Sequence, residues 1–82
     1  MQYLFLCKSL TYAQRSARLL EQKGIGAYVS KAPDNISAKG CAYCVKIRAD
    51  RYADALYILR SAGLGPKRIF RLENDMLSEV TE

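Results

Sequence analysis

Ala42-Tyr43-Cys44-Val45-Lys46-Ile47-Arg48 alternates in polarity along its length. Tyr43, Val45 and Ile47 fall on one side and Cys44, Lys46 and Arg48 on the other. That period of two belongs to a half-buried strand. Downstream, Asp50 is placed to cap a helix whose apolar positions run Tyr52, Leu56 and Leu59. Gly63-Leu64-Gly65-Pro66 stops that helix, and residues 67–72 supply another strand. Upstream, residues 36–41 are a loop of small residues, and Ala32-Pro33-Asp34-Asn35 is a turn signal. Residues 25–31 precede the turn as a strand. Before them lies a helix opened by Ser9 or Thr11, with Thr11 and Gln14 fitting a capping box. Ala13, Ala17 and Leu20 keep one face of it, and Gly24 closes it. The apolar run over residues 3–8 is the first strand.

The order strand, helix, strand, strand, helix, strand is the split βαβ arrangement. It predicts an α+β, ferredoxin-like βαββαβ two-layer sandwich. Both helices lie on one face of an antiparallel sheet of order 4-1-3-2. On this reading Tyr3 and Phe5 lie on the open face with Cys44, Lys46 and Arg48. The two halves are of similar size, but no sequence repeat stands out. Residues 73–82 show no periodicity beyond Met76, Leu77 and Val80 and are expected to fray.

The length of 82 residues fits one small domain, assigned to residues 1–72, with 73–82 as an acidic tail. Charge is divided unevenly between them. Residues 1–72 hold all 13 Lys and Arg against four acids, a balance of +9, and the tail holds four acids and no base, a balance of −4. A basic body attracts anions. Histidine is absent, which removes the commonest general base and a common metal ligand. No apolar stretch approaches the ~18 residues of a membrane span, and residues 1–12 lack a leader pattern. A cytoplasmic location without membrane association is therefore expected. Thiols stay reduced there, so the odd number of cysteines (Cys7, Cys41 and Cys44) argues against a disulfide framework.

The topology gathers these thiols. The first strand ends at Cys7, the third begins near Cys41 and Cys44, and the two strands are neighbours. The first helix starts at the same end with its unpaired amides. Lys31, Lys39, Lys67 and Arg68 are expected there too, and such surroundings favour thiolate. Cys41-Ala42-Tyr43-Cys44 is a CxxC. A structural zinc site needs four ligands, Cys7 brings the total to three, and no histidine completes the set within one chain, which leaves only a site shared in a dimer; no metal and no cofactor is assigned. A thioredoxin motif opens a helix, whereas this one leads into a strand. Cys7 in its apolar strand also reads as a small core residue, and Cys44 is divided between core and site. Cys41, in the polar loop after Lys39-Gly40, is the sharpest candidate nucleophile. Gly40 permits close approach of a partner.

The turn at Lys31-Ala32-Pro33, then Ile36-Ser37 and Gly40-Cys41, resembles the signature loop of the selenium/sulfur carrier-like family, a group of small bacterial domains. Ser9, the helix of residues 13–23, Gly24-Ile25 and Ala32-Pro33 fall in that family's order. The resemblance covers about residues 2–72. It implies that Cys41 carries sulfur or selenium as a persulfide or selenosulfide, exchanged with a donor or acceptor protein. It leaves the chain a stoichiometric carrier rather than a turnover enzyme. Asp34 stands where a basic residue is expected, Ala42 where glycine is, and Cys44 is an addition. Lys31, Ser37, Lys39, Gly40 and Ser9 are the candidates for stabilising the anion, Cys44 the candidate second catalytic thiol, and Cys7 a secondary thiol. Two other classes remain: a single-stranded RNA-binding platform and an interaction module that dimerises through the open sheet face. The third strand lacks the aromatic pattern of an RNA-recognition sheet.

Overall fold

The computed structural model describes residues 1–33 and 43–80. Strand β1 is Gln2–Cys7, helix α1 Leu10–Gln22, β2 Ala27–Lys31, β3 Tyr43–Arg48, helix α2 Tyr52–Ser61, β4 Arg68–Glu73 and β5 Met76–Glu79. The strands form one antiparallel sheet of order β2-β3-β1-β4-β5. The expected four-strand order is present within it, read from the other side. The fifth strand makes the layout βαββαββ and departs from the plain ferredoxin-like pattern.

That strand corrects the expectation of a fraying tail. Asn74 and Asp75 both take positive φ, 51° and 63°, the pair that a tight hairpin turn demands. Leu72 then lies opposite Leu77, and Val80 N–H donates to the Ile69 carbonyl at 2.8 Å. Asn and Asp tolerate this conformation because their short polar side chains bond locally.

The sheet register decides which side chains meet the helices. Phe5 pairs with Val45 and Ile69, so all three point the same way. They join Cys7, Ala13, Leu20, Ile25, Ile47, Ala55, Leu56 and Leu59 in the main core. Tyr3 packs against that core, its ring stacked on Tyr52 with centroids 4.0 Å apart. Placing Tyr3 and Phe5 on the open face is therefore wrong. The opposite face carries a smaller cluster of Leu4, Leu6, Ala32, Cys44 and Phe70, with Leu77 packed against it. A continuous apolar run such as 3–7 has no alternation to reveal its orientation, and only pairing with β3 does so.

Both helices end in the same way. Gly24 and Gly63 take φ of 81° and 75°. Behind Gly24, Ile25 N–H reaches the Leu20 carbonyl at 2.9 Å. Behind Gly63, Leu64 N–H reaches the Leu59 carbonyl at 2.8 Å. Each is a Schellman closure, with the apolar residue after glycine turned back onto the core. Gly24-Ile25-Gly26 and Gly63-Leu64-Gly65 are thus a short repeat marking corresponding points of the two halves.

The helix starts differ. Ser9 caps α1, its Oγ accepting from Tyr12 N–H at 3.3 Å, and Thr11 lies inside the helix. Asp50 does not cap α2. It sits in a single 3-10 turn, Ala49–Arg51, and pairs with Arg48 at 3.2 Å, while α2 begins without a side-chain cap. Replacing Ser9 with alanine is expected to cost about 1 kcal/mol. A urea-denaturation midpoint unchanged in Ser9→Ala would remove the cap from the account of α1.

Candidate functional site

One end of the sheet collects the sequence-predicted groups that fall within the described residues. β1 finishes there at Cys7, β2 at Lys31 and β5 at Glu79, while β3 starts at Tyr43 and β4 at Arg68. α1 begins at Leu10, with only Lys8 and Ser9 between it and Cys7. Cys41, Ser37, Lys39 and Gly40 lie outside the described residues.

Cys7 and Cys44 come to the same end on adjacent strands but not to the same face. Cys7 is opposite Tyr43, and Cys44 is opposite Leu6. Successive residues of a strand point to opposite faces, so the two thiols are separated by the sheet. Cys7 faces the helices, with Sγ 3.5 Å from the Phe5 carbonyl. Cys44, on the other face, has no exposed surface, and its Sγ lies 3.5 Å from Ser30 Oγ. Strand order thus brings these cysteines close along the chain ladder, and the pleat keeps their sulfurs apart. Burial limits access to both sulfurs, which suits them to structural roles.

The charges around this end are unequal in availability. Lys31 and Lys67 are exposed. Lys8 Nζ stands 5.5 Å above the Tyr12 ring, a cation–π contact at the first turn of α1. The first turn of α1 carries no acidic residue, so its positive end is not offset from within the helix. Ser9 has a structural duty, since its Oγ already holds the Tyr12 amide.

Arg68 is matched by Glu79, an acid from the segment expected to fray. Its Nε and Nη2 donate to the two carboxylate oxygens of Glu79 at 2.9 and 2.7 Å, while the guanidinium lies 5.0 Å from the Phe70 ring centroid. The β4–β5 hairpin thereby brings one acidic-tail carboxylate to the electropositive end. The only sequence signal for this pair was the turn-forming Asn74-Asp75. The Arg68 hydrogen bonds hold the Glu79 carboxyl below its ordinary range, and Glu79 in turn raises Arg68. A depressed carboxyl contributes stability above its unfolded pKa, and that contribution is lost as pH falls through the folded value. The melting temperature of Glu79→Gln is accordingly expected to lie below wild type at pH 7. The gap should close as pH drops below the ordinary glutamate value of about 4.3. A gap that stays constant over that range would mean the pair does not titrate as a unit.

Among the described residues no three His, Cys, Asp or Glu side chains group so as to hold a metal ion. No helix of the described residues is long and apolar enough to cross a membrane.

No curated protein and no solved structure matches the chain. A family model does match, over residues 2–71. It spans every element from β1 into β4 and includes Cys7, Cys41 and Cys44. The chain belongs to the family described as "Putative Se/S carrier protein-like".

Proposed function

We propose that the chain carries sulfur or selenium on Cys41, working as a stoichiometric carrier between a donor and an acceptor protein. One observation supports this above the others. β3, whose first residue follows Cys41 by two positions, begins at the end of the sheet where α1 starts and where Lys8, Lys31 and Lys67 lie. Covalent connectivity keeps the Cys41 Cα within about 7 Å of the Tyr43 Cα. A helix amino terminus and several cations at that end support the reading, since such surroundings stabilise negative sulfur.

The transfer step balances without an outside oxidant. The Cys41 thiolate attacks the terminal sulfur of a donor persulfide. A new sulfur–sulfur bond forms at Cys41, the donor's own sulfur–sulfur bond breaks, and the donor leaves as a thiolate. Delivery to an acceptor thiolate repeats the exchange in the other direction. A donor selenosulfide reacts in the same way: the Cys41 thiolate attacks its terminal selenium, a sulfur–selenium bond forms at Cys41, the donor's own sulfur–selenium bond breaks, and the donor leaves as a thiolate.

Lys39, Gly40 and Ser37, within four positions of Cys41 in the sequence, are proposed to stabilise the charged cargo, with Lys31 at the end of β2. Ser9 contributes indirectly, by fixing the first turn of α1. Cys44 is a slower partner: its buried thiol reacts only when the end of β3 opens. Sulfur loading of the intact chain and its Cys41→Ser variant, followed by mass spectrometry, tests the reading.

A further inference from the structure

The opposite end of the sheet holds a second cluster of charge. A cleft of about 400 Å³ lies there, lined by Gln2, Gly24, Gly26, Tyr28, Lys46, Arg48, Asp50 and Arg51. Its size falls in the range of small-ligand clefts, about 300–1,000 Å³. Tyr43 and Arg48 mark the two ends of β3, about 17 Å apart by the rise of a strand.

Four features of this cleft point to one kind of occupant. First, three cations line it against a single carboxylate, and that carboxylate is already engaged, Asp50 with Arg48 at 3.2 Å. Second, Arg51 Nε is buried and has no hydrogen-bond acceptor among the described residues. A guanidinium N–H shut away from water without an acceptor is costly, and a turn of the Arg51 side chain toward an anion in the cleft would remove that cost. Third, Tyr28 presents an aromatic ring that is 73% exposed, opposite Lys46 in the β2–β3 register. Fourth, a Cβ built on Gly26 meets nothing within 4 Å, so the wall at this point is bare backbone facing open space.

We propose that this cleft binds a phosphate group attached to a planar aromatic ring, as in a nucleotide. Arg51 and Arg48 take the phosphate oxygens, with Lys46 adding charge. The ring stacks on Tyr28, and Gly24 and Gly26 leave room for it to approach the backbone. Arginine is suited to this work because its planar fork matches phosphate geometry. The site is separate from Cys41 and independent of the carrier reading. Its ligand is either a free nucleotide or a nucleotide unit of a polynucleotide, since both present the same chemistry.

Calorimetric titration of the full chain with adenosine monophosphate, inorganic phosphate, adenosine and a short oligoadenylate tests it. Adenosine monophosphate is expected to bind more tightly than phosphate or adenosine alone. Arg51→Gln and Lys46→Gln should each weaken that binding about ten-fold, the value of one charge-assisted contact. Gly26→Val, which fills the bare wall, should weaken it similarly while leaving the melting temperature unchanged, which guards against a misfolded Arg51 variant. Cys41→Ser should bind as wild type. Tighter oligoadenylate binding with a steep salt dependence identifies a polynucleotide as the phosphate source. Equal or weaker oligoadenylate binding identifies a free nucleotide. No binding of adenosine monophosphate at millimolar concentration overturns the proposal. So does inorganic phosphate binding equally well, or affinity undiminished in both Arg51→Gln and Gly26→Val.

Discussion

Phe5→Ala is expected to destabilise the fold by about 3–5 kcal/mol, the cost of emptying a buried aromatic site. Phe5 has no exposed surface and sits on the central strand, flanked by Val45 and Ile69. Its ring meets Tyr52 edge-on with centroids 6.0 Å apart, which ties β1 to the first turn of α2. A domain of this size has a total stability of roughly 4–12 kcal/mol on the usual per-residue scale. The substitution therefore removes between about a quarter and all of it. Urea denaturation followed by circular dichroism should show a collapsed midpoint or a chain already unfolded in buffer. Tyr57→Ala, at a ring 75% exposed on α2, is the matched control and should shift the midpoint little. A Phe5→Ala midpoint close to that of Tyr57→Ala would mean that the core is not organised around β1.

The second large effect is chemical. Treatment of the reduced chain with a persulfide donor should add ~32 Da, one sulfur atom, and Cys41→Ser should lose that adduct. The contrast is sharp because the other two thiols are poor competitors. Cys7 is 4% exposed and Cys44 is wholly buried, on opposite faces of the sheet. Cys44→Ala should keep the adduct, and so should Cys7→Ala if the core tolerates it. Alkylation rate against pH gives the companion measurement. Cys41 should react with an apparent pKa below the reference of about 8.5. An adduct undiminished in Cys41→Ser, or none on the reduced wild type, would end the carrier reading. The nucleotide proposal would still stand on its own titrations.

Most of the element order was legible in the sequence because the patterns there are local. The alternation of 43–48 reports its own inner face, and glycine after an amphipathic run reports its own helix end. The exceptions needed information carried by a partner. Tyr3 and Phe5 were misplaced because a run apolar at every position does not say which face is inner. The knowledge lies in the pairing of Phe5 with Val45. The Asn74-Asp75 turn was passed over because it has no glycine, although Leu72 and Leu77 on either side are the apolar pair it closes. Asp50 looked like a cap, but the neighbouring Arg48 engages it first. The electropositive end was legible as a gathering of strand ends. Its partial neutralisation was not, since Glu79 reaches Arg68 only across a hairpin. Likewise the cleft around Arg51 draws residues from three separate stretches of chain, of which the alternation of β3 marks only Lys46 and Arg48 as open-face bases.

The Asn74-Asp75 hairpin also settles what the sheet shows to its surroundings. Without β5, the outermost strand on that side would be β4. Its ladder carries Ile69 and Phe70 and would present unpaired amides and carbonyls to any passing chain. β5 takes that position with a short, mostly exposed segment bearing Ser78 and Glu79. The far side ends on β2, which closes with Lys31 and is followed by Pro33. Charge, brevity and proline are the means by which sheets avoid growing by addition of foreign strands. The acidic hairpin is thus a guard against self-association as well as a partner for Arg68.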